Sequence, residues 1–209
     1  MNVIIIGGAA GSKIAYEIFK LRHDNVVGFH NNYLPDEERK KMTILLSESD
    51  VDKHLCGDCE YFVATGDNKM RKEHIEYYTK RYLKKPANAI HPSATISPSA
   101  TIGRGGLFMP NCVINAGSVV GDGVIINTGA IVEHDNVVGD YAQIAPGATL
   151  CGYVVVESMA TVNTNASVAP HVKIGKGAVV ALNAGVLDNV EPYTMVVGVP
   201  AIKKKVIDN

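Results

Sequence analysis

The sequence predicts an α/β N-terminal Rossmann-like domain followed by a parallel β-helix of hexapeptide repeats. Three observations carry that expectation. From Ile90 to Val186 every sixth residue is bulky and apolar, seventeen in a row, through Ile102, Ile114, Ile126, Val138, Leu150, Val162 and Ile174. The position four further on is mostly small, as at Ala94, Cys112, Ser118, Ala130, Ala148, Ala166 and Ala184. Upstream of the repeat, apolar runs alternate with helix-patterned stretches, the pattern of a small open sheet.

The repeat has a direct physical reading. Each hexapeptide makes one short strand and one turn, and three make a triangular coil. The aliphatic residue fills the prism axis and the small one fits where the wall bends. Coils stack at the spacing of parallel strands, ~4.8 Å, so between five and six of them make a prism roughly 27 Å long. One coil cannot bury its own interior, so stability comes from stacking. Gly103, Asn111, Gly117, Asp122, Gly129, Asn136, Gly147, Asn165, Gly177 and Asn183 are expected at turns, where these residue types tolerate positive φ.

In chain order, Asn2 to Ile6 is a continuous apolar run, expected as a buried parallel strand. Gly7-Gly8-Ala9-Ala10-Gly11 follows, and Ser12 is the expected N-cap of a helix whose Ile14, Ala15, Ile18 and Phe19 share one face. A strand, a glycine turn and a helix N-terminus together form an anion site. The turn reads G-G-x-x-G rather than the dinucleotide fingerprint. The second strand, Val26 to His30, ends in Asn31-Asn32 instead of the acidic residue a NAD site wants, which argues against NAD. Met42 to Leu46 and Tyr61 to Thr65 read as further strands. A basic helix capped by Asp67 runs to about Leu83, with Ile75, Tyr78 and Tyr82 on its buried side and its basic residues, Arg71 among them, expected as a solvated face. Ligands of open α/β sheets sit beyond the C-terminal strand ends, here Gly8 to Ser12, Asn31-Asn32 and Gly66. The domains are expected at 1–85 and 86–209, joined through Lys84 to Asn88.

Composition excludes several classes. A net charge of −1 offers no footprint for nucleic acid or an anionic membrane, and no apolar run approaches the ~18 residues of a bilayer span. The opening MNVIIIGG is too short and unflanked for a signal peptide. Four cysteines, Cys56, Cys59, Cys112 and Cys151, are expected as reduced thiols in a cytoplasmic protein. His54-x-Cys56-x-x-Cys59 lacks a second ligand pair for structural zinc and is expected as an ordinary loop. His91, His134 and His171 are spaced by 43 and 37 residues and are not expected to converge on a metal.

One turn inside the repeat carries chemistry. In Asn127-Thr128-Gly129-Ala130-Ile131-Val132-Glu133-His134-Asp135, the histidine falls two residues after the inward Val132. A turn projects it from the prism edge. An exposed histidine beside a carboxylate suits a general base, because the carboxylate stabilises the imidazolium that forms. Asp135 is the expected partner, with Glu133 on another face.

The glycine loop, IHPSATIS, the unbroken hexads, IVEHD and VGVPA together resemble the two-domain bacterial hexapeptide-repeat sugar acyltransferases. That family includes the UDP-4-amino-sugar N-acetyltransferases and the sialic acid O-acetyltransferase group. The resemblance covers nearly the whole chain and implies a left-handed β-helix, a homotrimer, and acetyl-CoA lying between neighbouring prisms. It implies His134 as catalytic base with Asp135 after it, and Gln143, Gly152, Thr164 and Leu182 near the acetyl group and pantetheine arm. It places a nucleotide sugar at Ala10, Gly11, Ser12, Asn31, Asn32 and Gly66. Gln143 stands where the family often has histidine, Ser12 where it commonly ends Ser-Gly-His, and Asn31-Asn32 where it has an acidic pair. The expected activity is acetyl transfer from acetyl-CoA to a nucleotide-linked amino sugar for a surface glycan. O-acetylation of a free sugar acid and a non-catalytic trimeric scaffold or nucleotide-binding subunit are the alternatives.

Overall fold

The structure is a computed structural model, and it describes residues 1–30 and 46–207. The chain forms two compact units, Met1–Pro92 and Ser93–Asn209.

In the first unit, β1 (Asn2–Gly7) lies between β2 (Asn25–His30) and β3 (Glu60–Ala64), all parallel. Val3, Ile4, Ile5 and Ile6 are buried, as a central strand covered on both faces requires. Helix α1 (Ala9–Leu21) sets Ala15, Ile18 and Phe19 into the core, where Phe19 meets Phe62 edge-on at 5.7 Å. Its start differs from expectation. Gly8 is the N-cap and Ser12 lies inside the first turns, fully buried, with its hydroxyl donating to the Gly7 carbonyl.

Helix α2 (Glu48–Leu55) is an element the sequence reading missed. Its signal was present: Ser47 and Asp50 form a reciprocal capping box, and Val51 and Leu55 are the buried i, i+4 pair. Part of the His54-x-Cys56-x-x-Cys59 stretch is therefore helical, and all four cysteines are free thiols. The strand expected at Met42 to Leu46 lies, apart from Leu46, outside the described residues.

Helix α3 (Asn68–Tyr82) begins as expected, with the Asp67 carboxylate accepting from Met70 N–H at 2.8 Å. Its basic residues do not all form a solvated face. Arg71 is buried, and its guanidinium donates to the Thr65 and Gly66 carbonyls and to Asn68 Oδ1. Residues 84–90 pack with this unit: Ala87 and Ala89 are buried and Ala87 N–H donates to the Tyr61 carbonyl.

The second unit is the left-handed parallel β-helix. Two-residue strands recur every six residues and pair in parallel with those eighteen residues away, as in Ile126↔Ile144, Val132↔Leu150 and Val138↔Val156. The inward residues from Phe108 to Val186 are buried. Ile96 and Ile102 are only half-buried, because their strands pair on one side only. The ladder ends in Thr194–Val197, followed by the antiparallel strand Ile202–Val206.

The turns refine the expectation. Every sixth residue from Gly105 to Asn183 has positive φ. Glycine and asparagine fill most of these positions, yet Asp135, Tyr141, Tyr153, Met159 and His171 occupy them too. Asn136 is not a turn residue: it is fully buried at an inner corner.

Candidate functional site

His134 follows the strand Ile131–Val132, whose buried Val132 fixes which way the next residues face. Glu133 leaves toward the preceding coil, where its Oε2 accepts from Asn115 Nδ2 at 3.0 Å. His134 and Asp135 project outward and are exposed. Asp135 adopts a left-handed conformation with φ 56° and brings Oδ2 to 2.9 Å from His134 Nδ1. A carboxylate only accepts, so Nδ1 is the donor in this contact, and in the neutral ring Nε2 then keeps its lone pair.

Gly152 lies one coil later, eighteen residues from His134, and explains how the ring can lie where it does. A Cβ at Gly152 would come within 2.7 Å of both Cε1 and Nε2 of His134. The absence of a side chain leaves the imidazole resting on the Gly152 backbone. The Gly152 N–H donates to no group among the described residues. That freedom belongs to the position. The first residue of each turn gives the coil ladder its carbonyl but not its N–H, and Pro98, Pro110, Pro146 and Pro170, which have no N–H, occupy the same place in other hexads. His134, Gly152, Thr164 and Leu182 all hold it. Leu182 is strongly exposed, and Gln143 sits half-buried at the outward position of Gln143–Ile144. A base with an open Nε2 and a backbone donor beside it can accept a proton and stabilise an oxyanion in one place.

Two neighbours were missed. Tyr153 packs edge-on against His134 with centroids 5.3 Å apart, and His171 stacks on the other side of Tyr153 at 4.9 Å and 6°. The spacing of His134 and His171 does not separate them as expected. Thirty-seven residues is two coils plus one, so both line the same prism edge with Tyr153 between them. Adding eighteen to Asp135 gives Tyr153 and adding it again gives His171, which was the available signal. Among the described residues no group of three histidine, cysteine or acidic side chains is placed to hold a metal.

The first unit offers a second place for a ligand, at the C-terminal ends of its strands. Among the described residues, a Cβ at Gly8 or at Gly66 would meet nothing within 4 Å, so they leave the backbone there open to approach. Gly11 is different: a Cβ would lie 2.5 Å from the Ala64 carbonyl, so this glycine serves helix-on-sheet packing. The Ser12 hydroxyl is turned back to Gly7, Ala10 lies in the first turn of α1, and Asn31 and Asn32 lie outside the described residues. A cavity of about 450 Å³ opens beside these strand ends, lined by Ile6 and Gly7 of β1, His30 of β2, Glu48 of α2 and Glu73, His74, Tyr77 and Tyr78 of α3. His30 is held there by its Nδ1 contact with the Leu46 carbonyl at 3.1 Å. Among the described residues no helix is long and apolar enough to cross a membrane.

Comparison with known proteins bears on both units. Residues 2–78 match the family described as the PglD N-terminal domain. Over 98 % of each chain, the structure is similar to PerB from Caulobacter crescentus in complex with CoA and GDP-perosamine, at 30 % identity and a TM-score of 0.88. It is similar to the acetyltransferase domain of PglB from Neisseria gonorrhoeae in complex with acetyl coenzyme A, at 27 % identity and a TM-score of 0.87, over 97 % of this chain and 98 % of that one. WeeI from Acinetobacter baumannii shares the fold at 22 % identity and a TM-score of 0.81, over 98 % of this chain and 100 % of that one. A search of curated protein sequences finds no match.

Proposed function

This chain belongs to the two-domain hexapeptide-repeat sugar acyltransferases, and from that premise we propose that it N-acetylates a nucleotide-linked amino sugar with acetyl-CoA, using His134 as general base. The observation that carries the reading is the prism edge itself: His134 oriented by Asp135 at 2.9 Å and resting on Gly152, whose N–H is open. Two neighbours similar over nearly their whole length are a protein in complex with CoA and GDP-perosamine and an acetyltransferase domain in complex with acetyl coenzyme A. They support acetyl-CoA as cosubstrate and a nucleotide amino sugar as acceptor.

The chemistry closes without a covalent enzyme intermediate. The neutral amine of the sugar attacks the thioester carbonyl carbon, forming the C–N bond. His134 Nε2 takes the proton from the nitrogen, and Asp135 stabilises the imidazolium. The Gly152 N–H donates to the oxygen as it becomes an oxyanion. The C–S bond then breaks, and His134 returns the proton to the departing CoA thiolate. Gln143, Thr164 and Leu182 line the path proposed for the acetyl group and pantetheine arm. Ala10, Asn31, Asn32 and Gly66 frame the nucleotide sugar, with Gly11 and Ser12 contributing through the packing of α1. The proposed assembly is a cytoplasmic homotrimer with acetyl-CoA between prisms. The four free thiols agree with a reducing compartment, and light scattering at three chain masses would support the assembly.

The test is CoA thiol release from acetyl-CoA with UDP- and GDP-linked amino sugars, free sialic acid and a no-acceptor control. We expect release with a nucleotide amino sugar, and a fall in kcat of ~10²–10⁴ in His134→Ala, as for loss of a general base. Release with sialic acid alone would replace N-acetylation of a nucleotide sugar with O-acetylation. Wild-type turnover in His134→Ala would remove the histidine from the mechanism.

A further inference from the structure

The turn that carries His134 is built differently from its neighbours. At most corners the turn closes on itself: the N–H of the inner-corner residue donates to the carbonyl three residues back, as Ala130 does to Asn127, Ala142 to Gly139, Ala148 to Ala145 and Ala166 to Asn163. Those four inner-corner residues are alanines, and Ser118, one coil before Asn136, closes its own turn onto the Asn115 carbonyl in the same way. At the His134 turn the corresponding residue is Asn136, and its N–H goes instead to Ser118 Oγ at 3.1 Å. The carbonyl that would have closed the turn, Glu133 O, accepts from Ser118 Oγ at 2.7 Å and from Asn136 Nδ2 at 2.6 Å. Asn136 then spends its remaining acceptor one coil further on, where Oδ1 takes the Val154 N–H at 2.6 Å. Both side chains are fully buried.

The consequence is geometric. Glu133 O and His134 N belong to one peptide plane, so two buried donors on that oxygen fix the peptide from which His134 departs. Val154 N lies in the turn that contains Gly152. A single amide side chain therefore ties the turn bearing His134 to the turn beneath its imidazole ring. Ser118 and Asn136 lie in one column of the prism, eighteen residues apart, and the same column continues as Val154 and Val172. A hydrophobic residue fits this corner. Polar ones stand at His134 and one coil before it.

We propose that Asn136, backed by Ser118, is a positioning residue for the acetyl-transfer reaction: it fixes the His134 imidazole and the Gly152 N–H relative to each other. The inference rests on the reading of His134 as the base. Neither residue touches substrate, so both act through the two turns they join. A misplacement of about 1 Å arising away from the chemistry can cost roughly 10²-fold in rate, which is the size of effect such a device controls.

The test uses the full chain and the pair Ser118→Thr and Ser118→Val, which match in volume and differ in the hydroxyl, together with Asn136→Val, the residue of the next coil in that column. Kinetics are read with acetyl-CoA and whichever UDP- or GDP-linked amino sugar the wild type turns over. Independently of any acceptor, the ¹⁵N shifts of the His134 imidazole report its tautomer. We expect Asn136→Val to lower kcat by roughly 10–10²-fold, with KM for acetyl-CoA within about threefold, and to mix the His134 tautomers that Asp135 holds as Nδ1–H in the wild type. Ser118→Thr should keep both readouts and Ser118→Val should lose them in part. In a His134→Ala background, Asn136→Val should cost little more. Equal behaviour of Ser118→Thr and Ser118→Val, or a wild-type kcat and tautomer in Asn136→Val while His134→Ala is slow, would overturn the positioning role and leave the base intact. Wild-type turnover in His134→Ala would overturn the base reading instead. Should Asn136→Val fail to fold, the Ser118 pair decides alone.

Discussion

Gly11 and Gly152 lack a side chain for opposite reasons. In the α/β unit, a Cβ on Gly11 would run into the backbone carbonyl of Ala64 at 2.5 Å. In the β-helix, a Cβ on Gly152 would run into the imidazole of His134 at 2.7 Å. One glycine lets a helix lie close on a strand; the other lets the exposed His134 imidazole lie close on a backbone. Both belong to motifs that read as ligand sites in the sequence. What separates them is the kind of atom facing the missing Cβ, main chain in one case and an exposed side chain in the other.

The sharpest way to break that comparison is Gly152→Ala. The imidazole is exposed and can swing away, so the coil should keep its fold while His134 leaves its place. We expect kcat to fall roughly 10²-fold, as a displaced catalytic group does, with thermal unfolding unchanged. A variant that lost stability while keeping turnover would make Gly152 a packing glycine like Gly11.

Gly11→Ala should show the reverse. Alanine gains about 1 kcal/mol of helix propensity over glycine, but overpacking a fixed site costs ~1–3 kcal/mol. The opposing atoms are backbone and cannot rotate aside, so the cost wins and the first unit should unfold at lower denaturant. Equal or higher stability would mean the α1–β3 approach has slack, and would return Gly11 to the list of direct ligand contacts.

The two units were also unequally legible. The β-helix was open to reading because one period governs strands, core and turns at once. Period alone places Val132, and through it the outward turn of His134. Applied once more, the same arithmetic gives Tyr153 and His171 on the His134 edge. What period could not give was Asn136, since asparagine suits an exposed turn as well as a buried corner, and only the partners on Ser118, Glu133 and Val154 decide between them. The α/β unit has no such rule. Its helix α2 is short and mostly polar, so its two buried residues fell below the notice that a longer periodic pattern commands. Arg71 read as surface charge because nothing in the sequence says that its guanidinium finds the carbonyls of Thr65 and Gly66.

The smallest expected effect tests how α2 is tied to α3. Asp52 on α2 receives Tyr82 Oη at 2.5 Å and two nitrogens of Arg81, at 2.9 and 3.2 Å to the same oxygen. The Tyr82 hydroxyl first, and then Arg81, hold its carboxyl below the ordinary aspartate value. The group thus binds its proton less readily in the folded chain than in the unfolded one. Its contribution is complete above the ordinary value of about 3.9 and is lost as pH falls through the lower folded one. The cluster is open to solvent and salt, so the contribution is modest. Acid unfolding of the wild type against Asp52→Asn should therefore show a stability gap at neutral pH that closes below about pH 4. A gap that persists unchanged into stronger acid would assign the loss to the changed hydrogen-bond geometry with Tyr82, and would make this junction a packing contact of the same kind as Gly11 on Ala64.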